Sequence, residues 1–283
     1  MNFPKTAELI RLKRSGKKWA MLTAYDSPTA EILETQGVDW ILVGDSVGMV
    51  LLGYASTVDV TMDEMIHHAK AVRRGAPKSF VIGDMPLKGV EKGAKQALVS
   101  AKRFLGEAGC NAVKVEWAGA ETLETVKLLR QHRIPVMGHL GLTPQTASKL
   151  GGYKVQAQDV QSALALYQNA QKLESLGVFS VLMECVPFPV ARAVTRRLQI
   201  PTIGIGAGRF CDGQVLVFQD LVGLAKKMSP RFLKRYADLD SVAQKSVGRY
   251  IKEVQSGKFP SVKNSFGMNE TQKKVFEDSL NGR

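Results

Sequence analysis

Four carboxylates, a lysine and a histidine stand where short apolar runs of this chain end. Leu42-Val-Gly-Asp-Ser46 places Asp45 and Ser46 behind a glycine, and Gly83-Asp84 repeats the pattern. Lys114 and Glu116 are two residues apart, His139 follows Gly138, and Glu184 closes the run that begins at Ser180. Gathering like charges in one cleft is costly unless a cation or a proton compensates them. A hard divalent ion such as Mg²⁺ is the natural compensation, with carboxylate and water oxygens as ligands. Any one of these acids alone reads equally well as a helix N-cap at a strand–helix turn. Asp45, Asp84 and Glu116 together, joined by a lysine and a histidine, favour a metal site. Asp45 and Asp84 are the expected direct ligands, and Glu116 is expected to reach the ion through water. The glycines before Asp45, Asp84 and His139 are read as permitting close approach of the backbone to a ligand.

The companions divide by role. Lys114 and Glu116 share one face of a strand, so Lys114 suits either a substrate carboxylate or enolate oxygen or an interior salt bridge. Glu184, if it is not a metal ligand, is the candidate general base. His139 reads either as a donor to a substrate oxygen or as a structural histidine. Cys185 points away from Glu184 and lacks an activating base, so it is a poor nucleophile. His67, His68 and His132 fall in helical stretches and read as structural. The Gly204–Gly208 run looks like a weak phosphate cradle, better read as close packing or contact with a bulky ligand.

These residues need a scaffold that brings strand ends together. Apolar, β-branched runs at 19–24, 40–44, 80–83, 112–115, 134–138, 180–183, 202–205 and 215–218 alternate with longer helical stretches. Continuous runs of this kind belong to parallel strands buried on both faces. Eight strand–helix units in 283 residues predict a (β/α)8 TIM barrel, whose active site lies at the C-terminal ends of its strands. Gly37, Gly75, Gly109 and Gly177 read as helix C-caps, and Ser27-Pro28 as a helix start with Glu31 completing the cap. The loop from His139 to Asp159, through Gly151-Gly152, is long enough to act as a lid. Between the seventh and eighth strands, 206–213 has room for one helical turn at most. Residues 1–283 read as a single barrel domain, with a basic helical extension over about 1–18 and a helical tail over about 224–283. From about Lys258 the tail is polar and expected to be partly disordered.

Composition narrows the class. The chain is 45% hydrophobic and 23% charged, as globular proteins are. No apolar run approaches the roughly 18 residues of a membrane span, and the N-terminus lacks a secretory pattern. Three cysteines without CxxC spacing suit reduced thiols in a cytoplasmic protein. The net charge of +13 invites a nucleic-acid reading. Its densest runs, from Arg11 to Lys18 and from Lys226-Lys227 to Lys234-Arg235, lack interleaved aromatics. They read as solvated helix faces that draw in anionic small molecules, with no nucleic-acid or membrane partner.

At this point the motifs resemble those of the ketopantoate hydroxymethyltransferase family. The resemblance runs from Thr23 to Gly223. It includes Thr23-Ala-Tyr-Asp26, Leu42-Val-Gly-Asp-Ser46 with Gly48-Met49, and His68 to Val72-Arg-Arg-Gly-Ala-Pro77. It continues through Gly138-His-Leu-Gly-Leu-Thr-Pro-Gln145, Gly151-Gly-Tyr-Lys-Val-Gln156, Glu184-Cys-Val-Pro187 and Ile203-Gly-Ile-Gly-Ala-Gly208 with Asp212-Gly-Gln214. It implies a Mg²⁺-dependent barrel of the phosphoenolpyruvate mutase and isocitrate lyase group that assembles as a homodecamer. It implies transfer of a hydroxymethyl group from 5,10-methylenetetrahydrofolate to 3-methyl-2-oxobutanoate in pantothenate biosynthesis. By position, Asp45, Asp84 and Glu116 match the family's metal acids. Asp45, Ser46, Asp84 and Lys114 match its oxo-acid contacts, and Glu184 its proton acceptor. Departures at residues 51–54, 188–189 and 209–211, and in the tail past Phe266, lie away from these positions. Three other readings stay open: a sibling lyase that cleaves a 2-hydroxy acid without folate, a Schiff-base aldolase using Lys114, and a basic binding protein without turnover.

Overall fold

The computed structural model describes residues 6–147, 152–225 and 230–282. Strands β1 (Trp19–Thr23), β2 (Trp40–Val43), β3 (Phe80–Asp84) and β4 (Ala112–Glu116) are followed by β5 (Val136–Gly141), β6 (Ser180–Glu184), β7 (Thr202–Ile205) and β8 (Gly213–Leu216). All pair in parallel in chain order, and β8 closes on β1. The expected (β/α)8 barrel is the fold observed.

The helices are α1 (Thr6–Arg14), α2 (Ser27–Thr35), α3 (Val47–Val50), α4 (Met62–Gly75), α5 (Leu87–Val90), α6 (Ala94–Gly106) and α7 (Ala120–Gln131). They continue as α8 (Val160–Ser175), α9 (Phe188–Arg197), α10 (Phe218–Leu221), α11 (Leu239–Gln255) and α12 (Glu270–Asn281). No helix separates β7 from β8. The chain forms two compact units, residues 1–236, which hold the barrel, and 237–283, which hold α11 and α12. Neither α11 nor α12 buries a residue. The segment from Lys258, expected to be partly disordered, includes α12, whose start is capped by the Asn269 side chain accepting from Thr271 N.

Several boundaries move for identifiable reasons. The expected fifth strand, 134–138, begins instead at Val136, because Pro135 has no N–H to donate to a ladder. It runs on to Gly141, so His139 lies inside the strand, opposite Glu116 and Leu182. The eighth strand starts two residues early, at Gly213, which pairs with Trp19. Helix α2 is capped by Asp26, not Ser27: the Asp26 carboxylate accepts from Thr29 N at 2.8 Å. Gly37, Gly109 and Gly177 are left-handed as expected of C-caps. Gly75 instead ends α4 in helical geometry, where a Cβ would lie 2.1 Å from Ser27 O.

Two apolar layers hold the barrel. One lies between sheet and helices, built from residues such as Val43, Val81, Phe104, Leu129 and Leu173. The other fills the interior with Trp19, Met21, Trp40, Ile82, Met137 and Phe179, closed from below by Leu9 of α1. Trp40 meets Trp19, Phe80 and Phe179 at ring-centroid separations of 5.7–6.0 Å. The basic run at 11–18 is not simply a solvated face. Lys13 donates to Thr195 O and Ile200 O at 2.8 Å and pairs with Asp212 at 3.0 Å. Lys17 pairs with Asp39 and Lys18 donates to Cys211 O, so the run fastens α1 beneath the barrel. Lys226 and Lys227, and Gly151 of the expected lid, lie outside the described residues. Among the described residues, no helix is long and apolar enough to cross a membrane.

Candidate active site

Asp84, Glu116 and Glu184 are the last residues of β3, β4 and β6, and Asp45 follows β2 by two positions. In a closed parallel barrel those positions converge on one opening. All seven singled-out residues, Asp45, Ser46, Asp84, Lys114, Glu116, His139 and Glu184, line one cavity of about 790 Å³. That volume suits a small molecule. Leu42, Leu182, Ile205 and Val215 give it an apolar wall.

The glycines before these residues do a different job from the one expected. A Cβ on Gly83 would lie 2.3 Å from the Phe104 ring, and one on Gly138 would lie 2.7 Å from Leu173. Because side chains alternate across a strand, Asp84 and His139 face inward while their glycines face the helices. These glycines therefore admit α6 and α8, not a ligand. Only Gly44 is near the site, with its missing Cβ 2.9 Å from Ser46 Oγ and 3.7 Å from Asp84 Oδ2. The Gly204–Gly208 run is likewise close packing: Cys211, Phe232 and Phe188 press against Gly204, Gly206 and Gly208.

Lys114 is the hub. Its Nζ lies 2.9 Å from Asp84 Oδ1, 3.4 Å from Glu116 Oε1 and 3.1 Å from His139 Nδ1. His139 bridges onward, with Nδ1 3.2 Å from Glu116 Oε1 and Nε2 3.3 Å from Glu184 Oε2. It is thus a buried connector between two acids. Asp84 Oδ2 accepts from Asp45 N at 3.1 Å. Beyond these ionic contacts with Lys114 and Glu184, Asp84 Oδ1 and His139 Nε2 have no further hydrogen-bond partner among the described residues. Tyr25, fully buried, shares a 2.8 Å hydrogen bond with Ser46 Oγ, and its carbonyl meets His68 Nδ1 at 2.7 Å.

Charge is unevenly compensated across this cluster. Burial, then the Asp84 and Glu116 charges, pushes Asp45 well above the usual carboxylate range. Burial also raises Asp84, with Lys114 only partly offsetting it. Burial acts on Glu116 too, but Lys114, His139 and the Gln145 N–H outweigh it and hold Glu116 low. Lys114 resists desolvation because three acids surround it, so it stays protonated. Burial and Lys114 pull His139 down, yet Glu116 and Glu184 lift it to about 9. The unmet demand for positive charge therefore lies at Asp45 and Asp84. An ammonium held so firmly is no amine nucleophile, which counts against the Schiff-base reading. Cys185, with its thiol pushed up to about 11 by burial and then by Glu184, is an equally poor nucleophile.

Glu184 differs from its neighbours in access: its side chain is 18% exposed, against 2–4% for Asp84, Lys114, Glu116 and His139. The turn after it is strained, since Cys185 has φ of +48° without being glycine. That turn is secured by Cys185 N donating to Ile205 O and by Gln156 N donating to Cys185 O. Tyr153, from the far side of the loop after β5, also lines the cavity, its hydroxyl 3.8 Å from Met49 Sδ.

Two participants carried no assigned role in the sequence reading. Gln145 and Tyr25 stand in quoted motifs, but neither ends a strand. A polar side chain in a loop gives no sign that it turns inward.

The barrel fold is shared with solved structures of low sequence identity, among them a protein of the phosphoenolpyruvate mutase and isocitrate lyase superfamily. 2,3-Dimethylmalate lyase, a member of that superfamily, superposes with a TM-score of 0.59 at 13% identity, over 98% of this chain and all of the other. A phosphonopyruvate hydrolase solved with oxalate and Mg²⁺ gives 0.59 at 13% identity, over 99% of each chain. The sequence is more specific. The ketopantoate hydroxymethyltransferase family profile matches residues 4–262. The 3-methyl-2-oxobutanoate hydroxymethyltransferase of Desulfotalea psychrophila is 49% identical over 259 residues, 92% of each chain. The chain belongs to the ketopantoate hydroxymethyltransferase family.

Proposed function

We propose that this enzyme transfers a hydroxymethyl group from 5,10-methylenetetrahydrofolate to 3-methyl-2-oxobutanoate, forming 2-dehydropantoate. Supporting this is a relative at 49% identity that carries the matching name. The observation that carries the mechanism is the division of the cluster into a charge-deficient pair, Asp45 and Asp84, and an accessible acid, Glu184.

Among the described residues, no three His, Cys, Asp or Glu side chains stand ready as a metal cage. The donors nonetheless fit a hard divalent ion. Asp84 Oδ1 is buried with only the shared Lys114 ammonium beside it, and burial, with like charge adding to it, raises both aspartates. Asp45 and Asp84 would hold the ion directly. Glu116, whose oxygens are engaged by Lys114, His139 and Gln145 N, would reach it through water. Bound there, Mg²⁺ would supply Lewis-acid stabilisation of the oxo acid's enolate.

The protein's own groups do the rest. Lys114 presents a fixed positive charge to the substrate's carboxylate and keto oxygens, and Ser46, oriented by Tyr25, adds a hydroxyl donor. Glu184 takes the proton from C3 at the cavity wall. The apolar wall receives the branched end of the oxo acid and excludes water from it. The resulting carbon nucleophile attacks the methylene carbon of the folate, breaking one of its two C–N bonds; water replaces the second nitrogen, giving the hydroxymethyl product and tetrahydrofolate. The homodecameric assembly and cytoplasmic location implied by the family belong to the same reading. Three free cysteines suit the latter, and light scattering measures the former.

The test is exchange of the C3 hydrogen of 3-methyl-2-oxobutanoate for deuterium, followed by NMR without folate. Exchange is expected to stop on chelation with EDTA and return with Mg²⁺. Full exchange after chelation overturns the metal-assisted mechanism. Product formation with both substrates present tests the transfer itself.

A further inference from the structure

One buried residue ties three of the strand ends together from outside the strands, two through its side chain and one through its backbone N–H. Gln145 lies in the short turn Pro144–Thr146 that follows β5. Its Nε2 donates to Asp45 Oδ2 at 2.8 Å and to Met85 O at 2.9 Å. Its backbone N donates to Glu116 Oε2 at 3.1 Å. It is 7% exposed, so water does not compete for these bonds.

We propose that Gln145 is a positioning residue that fixes the Asp45 carboxylate for cation binding. By occupying Oδ2 it sets the plane of the carboxylate and leaves Oδ1 as the oxygen free to ligate. By holding Glu116 through its own N–H, it also sets the spacing between these two acids. A neutral amide suits this place. An ammonium would supply the charge that Asp45 lacks and compete with the ion, and a carboxylate would add to the repulsion. The bond to Met85 O leaves the amide no freedom to swing away. Groups that orient a metal's ligands typically change its affinity by roughly 10- to 100-fold when removed.

The proposal rests on the divalent-ion reading above, and its test separates the two. Mg²⁺ affinity is measured by isothermal titration calorimetry on full-length wild-type, Gln145→Met and Gln145→Asn proteins without substrates. Thermal midpoints are taken in EDTA. Methionine keeps the length without the donor; asparagine keeps the amide one methylene short of Asp45. The expected result is folded variants whose Mg²⁺ affinity falls at least tenfold, with a raised KM for the oxo acid once Mg²⁺ is limiting. Recovery of kcat at saturating Mg²⁺ is also expected. Affinity within twofold of wild type in either folded variant overturns the proposal. Failure of both variants to fold also overturns it, making Gln145 a structural group. Absence of Mg²⁺ binding in the wild type instead overturns the metal reading itself.

Discussion

Two of the barrel's lysine–aspartate pairs, Lys13–Asp212 and Lys114–Asp84, are of nearly equal length but lie at opposite ends and in different surroundings. Beneath it, Lys13 and Asp212 are 3.0 Å apart, and both are satisfied. Lys13 also donates to two carbonyls, while Asp212 Oδ2 accepts from the N–H and hydroxyl of Thr202 at 2.9 and 3.1 Å. At the mouth, Lys114 and Asp84 are 2.9 Å apart, but the lysine is shared among three acids and burial still holds Asp84 above the usual carboxylate range. The first pair is completed by the chain itself. The second is left incomplete in a cavity of about 790 Å³. An ion pair's length therefore does not distinguish structure from function; what remains unsatisfied around it does.

That contrast can be broken in order of effect. Lys114→Met should cost catalysis most, lowering kcat by about 10²–10³-fold, with circular dichroism near wild type at assay temperature and a lowered thermal midpoint, since three buried acids lose their ammonium. A collapse of the fold would erase the difference between the two ends. Asp212→Ala should do the reverse. It leaves Lys13 and the Thr202 N–H without their acceptor and costs about 3 kcal/mol in denaturant melts, with kcat per folded molecule unchanged. Asp45→Asn removes like charge from a pair that has only the shared Lys114 ammonium to offset it. In EDTA it should raise stability by about 1 kcal/mol, while abolishing the rise in thermal midpoint that Mg²⁺ gives the wild type.

Stability should also slope with pH. His139 is lifted from 6.5 to about 9 by the balance of burial and Lys114 against Glu116 and Glu184. Its protonated form therefore stabilises the folded state fully below pH 6.5, and that contribution is lost as pH climbs through 9. The metal-free thermal midpoint should decline across this window in wild type and decline less in His139→Gln. Equal slopes in the two proteins would show that the ring is not the titrating group.

Much of the mouth was legible because strand ends are legible. Apolar β-branched runs mark where strands stop, and a barrel sends every such stop to one opening, so Asp45, Asp84, Glu116 and Glu184 could be grouped without knowing their distances. Boundaries slipped where local chemistry overrode the pattern. Pro135 delayed β5, and Asp26 displaced Ser27 as the cap of α2. The glycines misled for a clearer reason. A missing side chain shows that something comes close, but not from which face, and at Gly83 and Gly138 it was Phe104 and Leu173.

The sequence by itself determined the alternation of strands and helices, the barrel that follows from it, and the set of ionisable residues at its mouth. These depend on periodicity and on residue type, both local properties. Only the tertiary structure decided how charge is shared among them. It made Lys114 the hub, His139 a buried connector, Glu184 the accessible acid and Gln145 the tie between Asp45 and Glu116. Each of those roles depends on distances between strand ends and loops far apart in the chain, and on burial that makes such distances matter. Spacing along one strand cannot encode them.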